Sequence, residues 1–499
     1  MNLGRIVVTS IYAIVIVGLF HLDRHEDSRV SKALWIPAVW LFLISSRAVS
    51  VWLGIAPNFK RVDLTNAAVG EGSPIDMWVY TFLLVAALAV LVARSGRVGP
   101  LLRKNVLILF FFSFCAVSIV WSDFPFVASK RFIKAIGDLG IVLIILTESD
   151  PSAALKRLVT RLGFLLFPLS VLFVELYPGI GQRLTESWTL EPTGVAIQKN
   201  ELGLDCMMYG VFFLWMTVSV YRERDDPSRR RRLLAYGTIV MMIIWLLSQC
   251  MSMTSIMGLV SAGGVMWLAS RPSRKPAAVH LLVLAVLGMA VTAVFFDPGG
   301  GMVEALGKDP TIHGRTEIWS LVLGLHTNPW VGTGFESFWL GPRLEQMWAA
   351  MPNFHMNEAH NGYLEVYLNL GWVGISFIAL LLVTGYKRVI SGIRRNPERG
   401  SLLLGFLLCT LFYSFTEAAF RLMTPAWVFL LLVIVAGSQQ ALFRSNLRTG
   451  LAQAGDITAD QEPAYATQRA SLVTHWVSET DSGIGMPRSL AGRREKAPK

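Results

Sequence analysis

Residues 369–386 read Asn369-Leu-Gly-Trp-Val-Gly-Ile-Ser-Phe-Ile-Ala-Leu-Leu-Leu-Val-Thr-Gly-Tyr386, without one charged side chain, and Lys387 and Arg388 follow at once. A helix rises about 1.5 Å per residue, so a stretch of this length covers most of a bilayer's hydrocarbon core. Similar apolar stretches lie at about 6–20, 33–54, 77–93, 106–121, 131–147, 158–176, 203–221, 233–248, 255–270, 278–296, 402–420 and 427–441. The expectation is an all-α polytopic membrane protein with about 12–14 transmembrane helices. Composition agrees. Of 499 residues 53% are hydrophobic and 16% charged, with a mean hydropathy of +0.51, whereas soluble domains carry about 25% charged residues. This excludes a disordered chain and argues against a soluble enzyme.

The formal charge of +11 admits nucleic acid, anionic lipid or membrane topology as its cause. Position decides. When connections are assigned alternately to two sides, 32 of the 45 Lys and Arg residues fall on the side that follows residue 386, the C-terminal tail included. Basic residues are retained in cytoplasmic loops, so that side is predicted cytoplasmic, and the excess sets orientation instead of binding nucleic acid. The N-terminus then lies outside. The stretch 6–20 is followed by His21, Leu22, Asp23 and Arg24 without a small-x-small cleavage site, which favours an uncleaved first helix. Cys115, Cys206, Cys250 and Cys409 form no CxxC pair and are expected as buried small hydrophobes.

Four regions follow: a transmembrane bundle at 1–296, a large outer loop folding as a subdomain at 297–368, further transmembrane helices at 369–441, and a disordered cytoplasmic tail at 442–499. Loops longer than about 15 residues usually carry function. The long loop holds eight carboxylates against Lys308, Arg315 and Arg343, with His313, His326, His355 and His360. Ile318, Leu321, Val322 and Leu325 recur at helical spacing, predicting one or two helices packed on the membrane face. Arginines on this side are not explained by topology, although a salt bridge of Arg315 to Glu317 or Asp309 would suffice.

Three patterns stand in this loop: His313-Gly-Arg315-Thr-Glu-Ile-Trp319, Asn328-Pro329-Trp-Val-Gly332-Thr-Gly334, and Glu358-Ala-His360-Asn361-Gly-Tyr363, with Gly371 eleven residues beyond His360. An earlier outer loop carries Gln198-Lys199-Asn200-Glu-Leu-Gly203. Taken in order, these stretches resemble the superfamily of bacterial O-antigen ligases and O-antigen or exopolysaccharide polymerases, over roughly residues 183–386. The N-terminal third is most similar to the exopolysaccharide polymerase branch.

The resemblance implies a metal-independent, inverting glycosyltransferase of the bacterial inner membrane that needs no cofactor. Its partners would be an undecaprenyl-pyrophosphate-linked oligosaccharide as donor, a glycan acceptor, membrane lipid, and chain-length regulator and export proteins. It further implies His360 as general base. Arg315, the companion catalytic candidate, Lys199 and Arg183 are candidates for holding pyrophosphate, and Arg421 and Arg47 are weaker ones that could instead snorkel to the interface. A neutral histidine accepts protons near pH 7, and the guanidinium fork matches phosphate oxygens. Asn361 and Glu358 are candidates for orienting His360, with helix capping as the other role of Asn361. A metal is not expected, because His355-x-x-Glu358-x-His360 lacks the HExxH spacing. Transfer of finished glycan to a lipid A core is the alternative within the superfamily. A flippase or other transporter is the alternative outside it, although transporters usually place ionisable groups at midmembrane.

Overall fold

The computed structural model describes residues 3–24, 30–55, 73–184, 189–271, 276–295, 311–325, 327–351 and 357–439, apart from the side chains at 276, 293–295 and 311–316. The predicted tail from Leu442, His326 and His355 lie outside the described residues, as do the side chains of His313 and Arg315.

The chain is an all-α polytopic membrane protein. Helices α1 (Leu3–Leu22), α2 (Trp35–Ile44), α3 (Val49–Trp52), α4 (Pro74–Ala93), α5 (Ser95–Lys104), α6 (Val106–Ser118), α7 (Pro125–Leu146) and α8 (Pro151–Leu176) come first. The short α9 (Pro178–Gly181) leads into an antiparallel hairpin, β1 (Gln182–Leu184) and β2 (Leu190–Pro192), in which Arg183 stands opposite Glu191. Then follow α10 (Lys199–Arg222), α11 (Arg229–Cys250), α12 (Met253–Ala269), α13 (Pro276–Phe295), α14 (Thr311–Gly324), α15 (Pro342–Ala350), α16 (Gly362–Ile393), α17 (Pro397–Tyr413) and α18 (Pro425–Gln439).

Six of these helices are long and apolar enough to cross a membrane, or seven if the α5–α6 pair, bent by 87°, is one span, and shorter apolar helices accompany them. Over the described residues each of the thirteen apolar stretches coincides with helix, with three departures, one of them the non-helical Gly371 within 369–386. The stretch 33–54 is broken between α2 and α3 at the segment carrying Arg47, and 402–420 stops being helical at Tyr413.

Local chemistry explains the starts. Ser73, Asp150 and Asn396 each accept a backbone N–H as N-caps of α4, α8 and α17, and proline stands in the first turn of each. Composition sorts the helices by depth. On α4, Met77, Trp78, Phe82, Val85 and Leu88 are exposed, as suits a face against lipid. On α10, Met207, Met208, Tyr209, Phe212 and Phe213 are fully buried, so an all-round apolar helix sits at the centre.

One end of the bundle gathers the segments that matter. Ser122, before α7, lies 2.6 Å from Ser337, Tyr413 at the end of α17 donates to the carbonyl of Asn200 on α10, and Gly362 donates to the carbonyl of Ser414. A small apolar cluster of Ile318, Val322, Phe338, Trp339, Met347 and Leu368 packs there. At the opposite end, Glu148 after α7 accepts from Arg94 after α4 (2.6 Å) and from Ser31 before α2 (2.6 Å).

Candidate active site

Helix α16 is a single apolar run with a break. Gly371 adopts φ 63° and ψ −163°, a conformation open to glycine alone, and the ladder opens on both sides of it. The turn Asn328-Pro329-Trp-Val-Gly332-Thr-Gly334 fills the opening. The carbonyls of Leu368 and Asn369 accept from Thr333 N (3.1 Å) and Gly334 N (3.0 Å), while Trp372 N and Val373 N donate to Pro329 O (2.9 Å) and Trp330 O (3.1 Å). The two backbones cross so closely that a Cβ on Gly371 would meet the Trp330 carbonyl carbon at 2.2 Å, and one on Gly332 the Asn369 carbonyl carbon at 2.4 Å. This explains physically why the Gly-x-Gly turn and the glycine eleven residues after His360 occur together.

His360 stands just before α16 and is fixed from both neighbours. The carbonyl of Ala359 accepts from Trp319 Nε1 of α14 (2.9 Å), and its N–H donates to Glu365. Glu365 also accepts from Trp339 Nε1 at 3.0 Å on each oxygen. On the other side Asn361 caps α16, its Oδ1 accepting from Tyr363 N and Leu364 N (both 3.0 Å), and its amide donates to Phe415 O (3.2 Å). Between these anchors His360 is held at φ +48°, a left-handed conformation uncommon for a bulky residue. Of the two roles anticipated for Asn361, capping is the one these hydrogen bonds express.

The imidazole lies among carboxylates. His360 Nδ1 is 2.9 Å from Glu417 Oε2 and 3.2 Å from Glu358 Oε1. Glu417 is buried and accepts from Asn200 Nδ2 (2.9 Å), and the other oxygen of Glu358 pairs with Arg421 (3.3 Å). The segment 414–424 between α17 and α18 thus supplies both Glu417 and Arg421. Burial works against the charge of Arg421, but Glu358, Glu336, Glu365 and Glu201, in that order, outweigh it and hold its pKa above the ordinary arginine value. A cavity of ≈ 40 Å³ adjoins, lined by Phe112, Ala135, Glu336, Glu365, Arg421 and Trp427 among others.

The remaining candidates are placed differently. Lys199 pairs with Glu191 of the hairpin, and Arg183 is exposed on β1; it is Asn200, next to Lys199, that reaches the histidine cluster. Arg47 donates to the carbonyls of Ile180, Gly194 and Ala196 (2.5, 3.4 and 2.9 Å), which makes it a clamp on the loop before α10. Arg315 is on α14, one turn before the Trp319 anchor. Ligand atoms of Glu358, His360 and Glu417 lie within 4.8 Å of one another, a grouping a cation would fit, but Arg421 already offsets the charge of Glu358. Glu417 is the residue sequence reasoning missed. A lone carboxylate near the end of an apolar run is a functional signal in membrane proteins, and it was the available clue.

Comparison with known proteins bears on this geometry. Residues 234–379, from α11 into α16 and including His360, match the family model described as O-Antigen ligase. The exopolysaccharide production protein ExoQ of Rhizobium meliloti (strain 1021) is 26% identical over 302 residues, covering 57% of this chain and 66% of that protein, just under two thirds of its length. By these matches the chain is similar to the O-antigen ligase family and to an exopolysaccharide production protein. The similarity to a curated protein thus runs to the exopolysaccharide side. The match to the O-antigen ligase model ends before Glu417 and Arg421, which join the His360 cluster from beyond it.

Proposed function

We propose that this protein is an inverting glycosyltransferase that polymerises undecaprenyl-pyrophosphate-linked repeat units into exopolysaccharide on the periplasmic side of the bacterial inner membrane, without a metal. The observation that carries the reading is His360 held through Nδ1 by Glu417. A carboxylate that accepts from Nδ1–H leaves the lone pair on Nε2 and stabilises the imidazolium once a proton arrives. His360 then takes the proton from the acceptor sugar's hydroxyl as its oxygen bonds to the anomeric carbon. The bond from that carbon to the pyrophosphate oxygen breaks on the opposite face, which inverts the centre. Pyrophosphate leaves with its electron pair and its lipid, its charge met by arginine. Arg315 and Arg421 are the candidates, Arg421 being the one beside His360.

The test uses a strain lacking the protein, complemented with His360→Ala or Arg315→Ala at confirmed membrane levels. Polymer should be lost while single carrier-linked units accumulate; normal polymer from both variants refutes the assignment. Long carrier-linked chains with no glycan on lipid A would instead indicate the ligase. Activity of purified protein in excess chelator should stay within about twofold of the untreated rate, whereas a loss restored by one divalent cation would assign a metal to Glu358, His360 and Glu417.

A further inference from the structure

Helix α7 carries three cations that orientation does not explain, Lys130, Arg131 and Lys134, near its Pro125 end, which is the end at which His360 lies. Ionisable side chains within membrane helices are rare and usually mark a pathway or a site, so three within two turns call for a use. Their positions differ in kind. Arg131 donates to the carbonyl of Glu336, and Ala135, one turn on, lines the same cavity as Glu336 and Arg421. Lys134 lies over the Tyr80 ring of α4, 5.5 Å from its centroid, and Lys130 lies 4.2 Å over Phe126. Phe126, Ile133 and Ile136 on the same helix are 66%, 52% and 46% exposed. An apolar face open to lipid therefore borders a group of cations, which in turn borders the cavity beside His360.

The cavity itself is poorly suited to receive an anion unaided. Four carboxylates act on its single arginine, Arg421, and a pyrophosphate moving in needs positive charge from elsewhere. We propose that Arg131 and Lys134, with Lys130 beside them, form the landing site for the pyrophosphate of a polyprenyl carrier, whose tail lies along Phe126, Ile133 and Ile136. This rests on the lipid-pyrophosphate donor of the proposed function and adds the route by which that donor enters from the bilayer, between α4 and the cavity wall.

The test measures binding without turnover. Full-length protein in nanodiscs is titrated with undecaprenyl pyrophosphate bearing no sugar and, separately, with undecaprenol. Arg131→Gln and Lys134→Gln should each weaken pyrophosphate binding by about tenfold, equivalent to ~1.4 kcal/mol, with undecaprenol unaffected, and Lys134→Arg should restore most of the loss. Unchanged pyrophosphate binding in both glutamine variants overturns the proposal. So does an equal loss for the two lipids, which would mean that the cations only hold the fold. Failure of wild-type protein to transfer glycan would sink the proposed function but would leave this binding result readable on its own.

Discussion

Glu417 shows how one carboxylate can set the chemistry of another side chain. Its Oε1 accepts from Asn200 and its Oε2 faces His360 Nδ1. In Glu417→Gln the amide can accept from Asn200 only by turning a second donor toward the imidazole. The histidine then loses the partner that stabilises its protonated form. We expect kcat to fall by roughly 100-fold or more, as orienting carboxylates do elsewhere, with KM for the lipid-linked donor little changed, measured as initial rates in proteoliposomes. A variant with normal kcat would remove Glu417 from the mechanism. At this scale the sequence was only partly legible. His360 has neighbours that form a pattern, whereas Glu417 lies 57 residues away in a stretch that reads as the end of a membrane helix, and only folding brings the two together. Lys199 and Arg183 are placed beside Glu191 of the hairpin, a neighbour that charge type alone does not announce.

Among elements, the break in α16 and the turn that fills it act as one unit. Gly371→Ala places a side chain on a positive-φ residue and against the Trp330 backbone, so a cost of about 1–3 kcal/mol from conformation alone, with the collision added, is expected. In detergent this should lower the melting temperature and abolish transfer, while Gly288→Ala, whose Cβ meets nothing within 4 Å, should do neither. At the other end, Glu148 joins three elements. Burial alone would raise its pKa, but hydrogen bonds from Ser31 and Arg94 overcome that and lower it below the ordinary glutamate value. The folded state therefore binds this proton less readily than the unfolded one. Its stabilisation is full above the usual carboxylate range and is lost as pH falls through the depressed value. Glu148→Ala should cost about 3 kcal/mol by stranding Arg94 and flatten the acid limb of the melting curve. Helix existence was readable because long apolar runs have few other fates. The α16 kink and the early end of α17 were not, because both depend on partners distant in the chain.

Across the whole molecule, the alternating charge of the connections and the grouping of helix ends give the same two-sided arrangement. Cys115, Cys206, Cys250 and Cys409 are all buried, which leaves a low background for labelling. Glu345→Cys on α15 and Asp225→Cys in the arginine-rich connection should react with an impermeant maleimide from opposite sides of the membrane, and reaction of both from one side would refute the topology. The crossing of Gly332 and Gly371 also bears on how the chain is made. Until residues 329–334 dock, the carbonyls of Leu368 and Asn369 and the N–H groups of Trp372 and Val373 lack these partners, and hydrocarbon penalises each such group by several kcal/mol. The start of α16 therefore cannot settle at depth when it first leaves the insertion machinery. It waits for residues 329–334 to fold back, so settling of this helix and folding of the turn before it are one event.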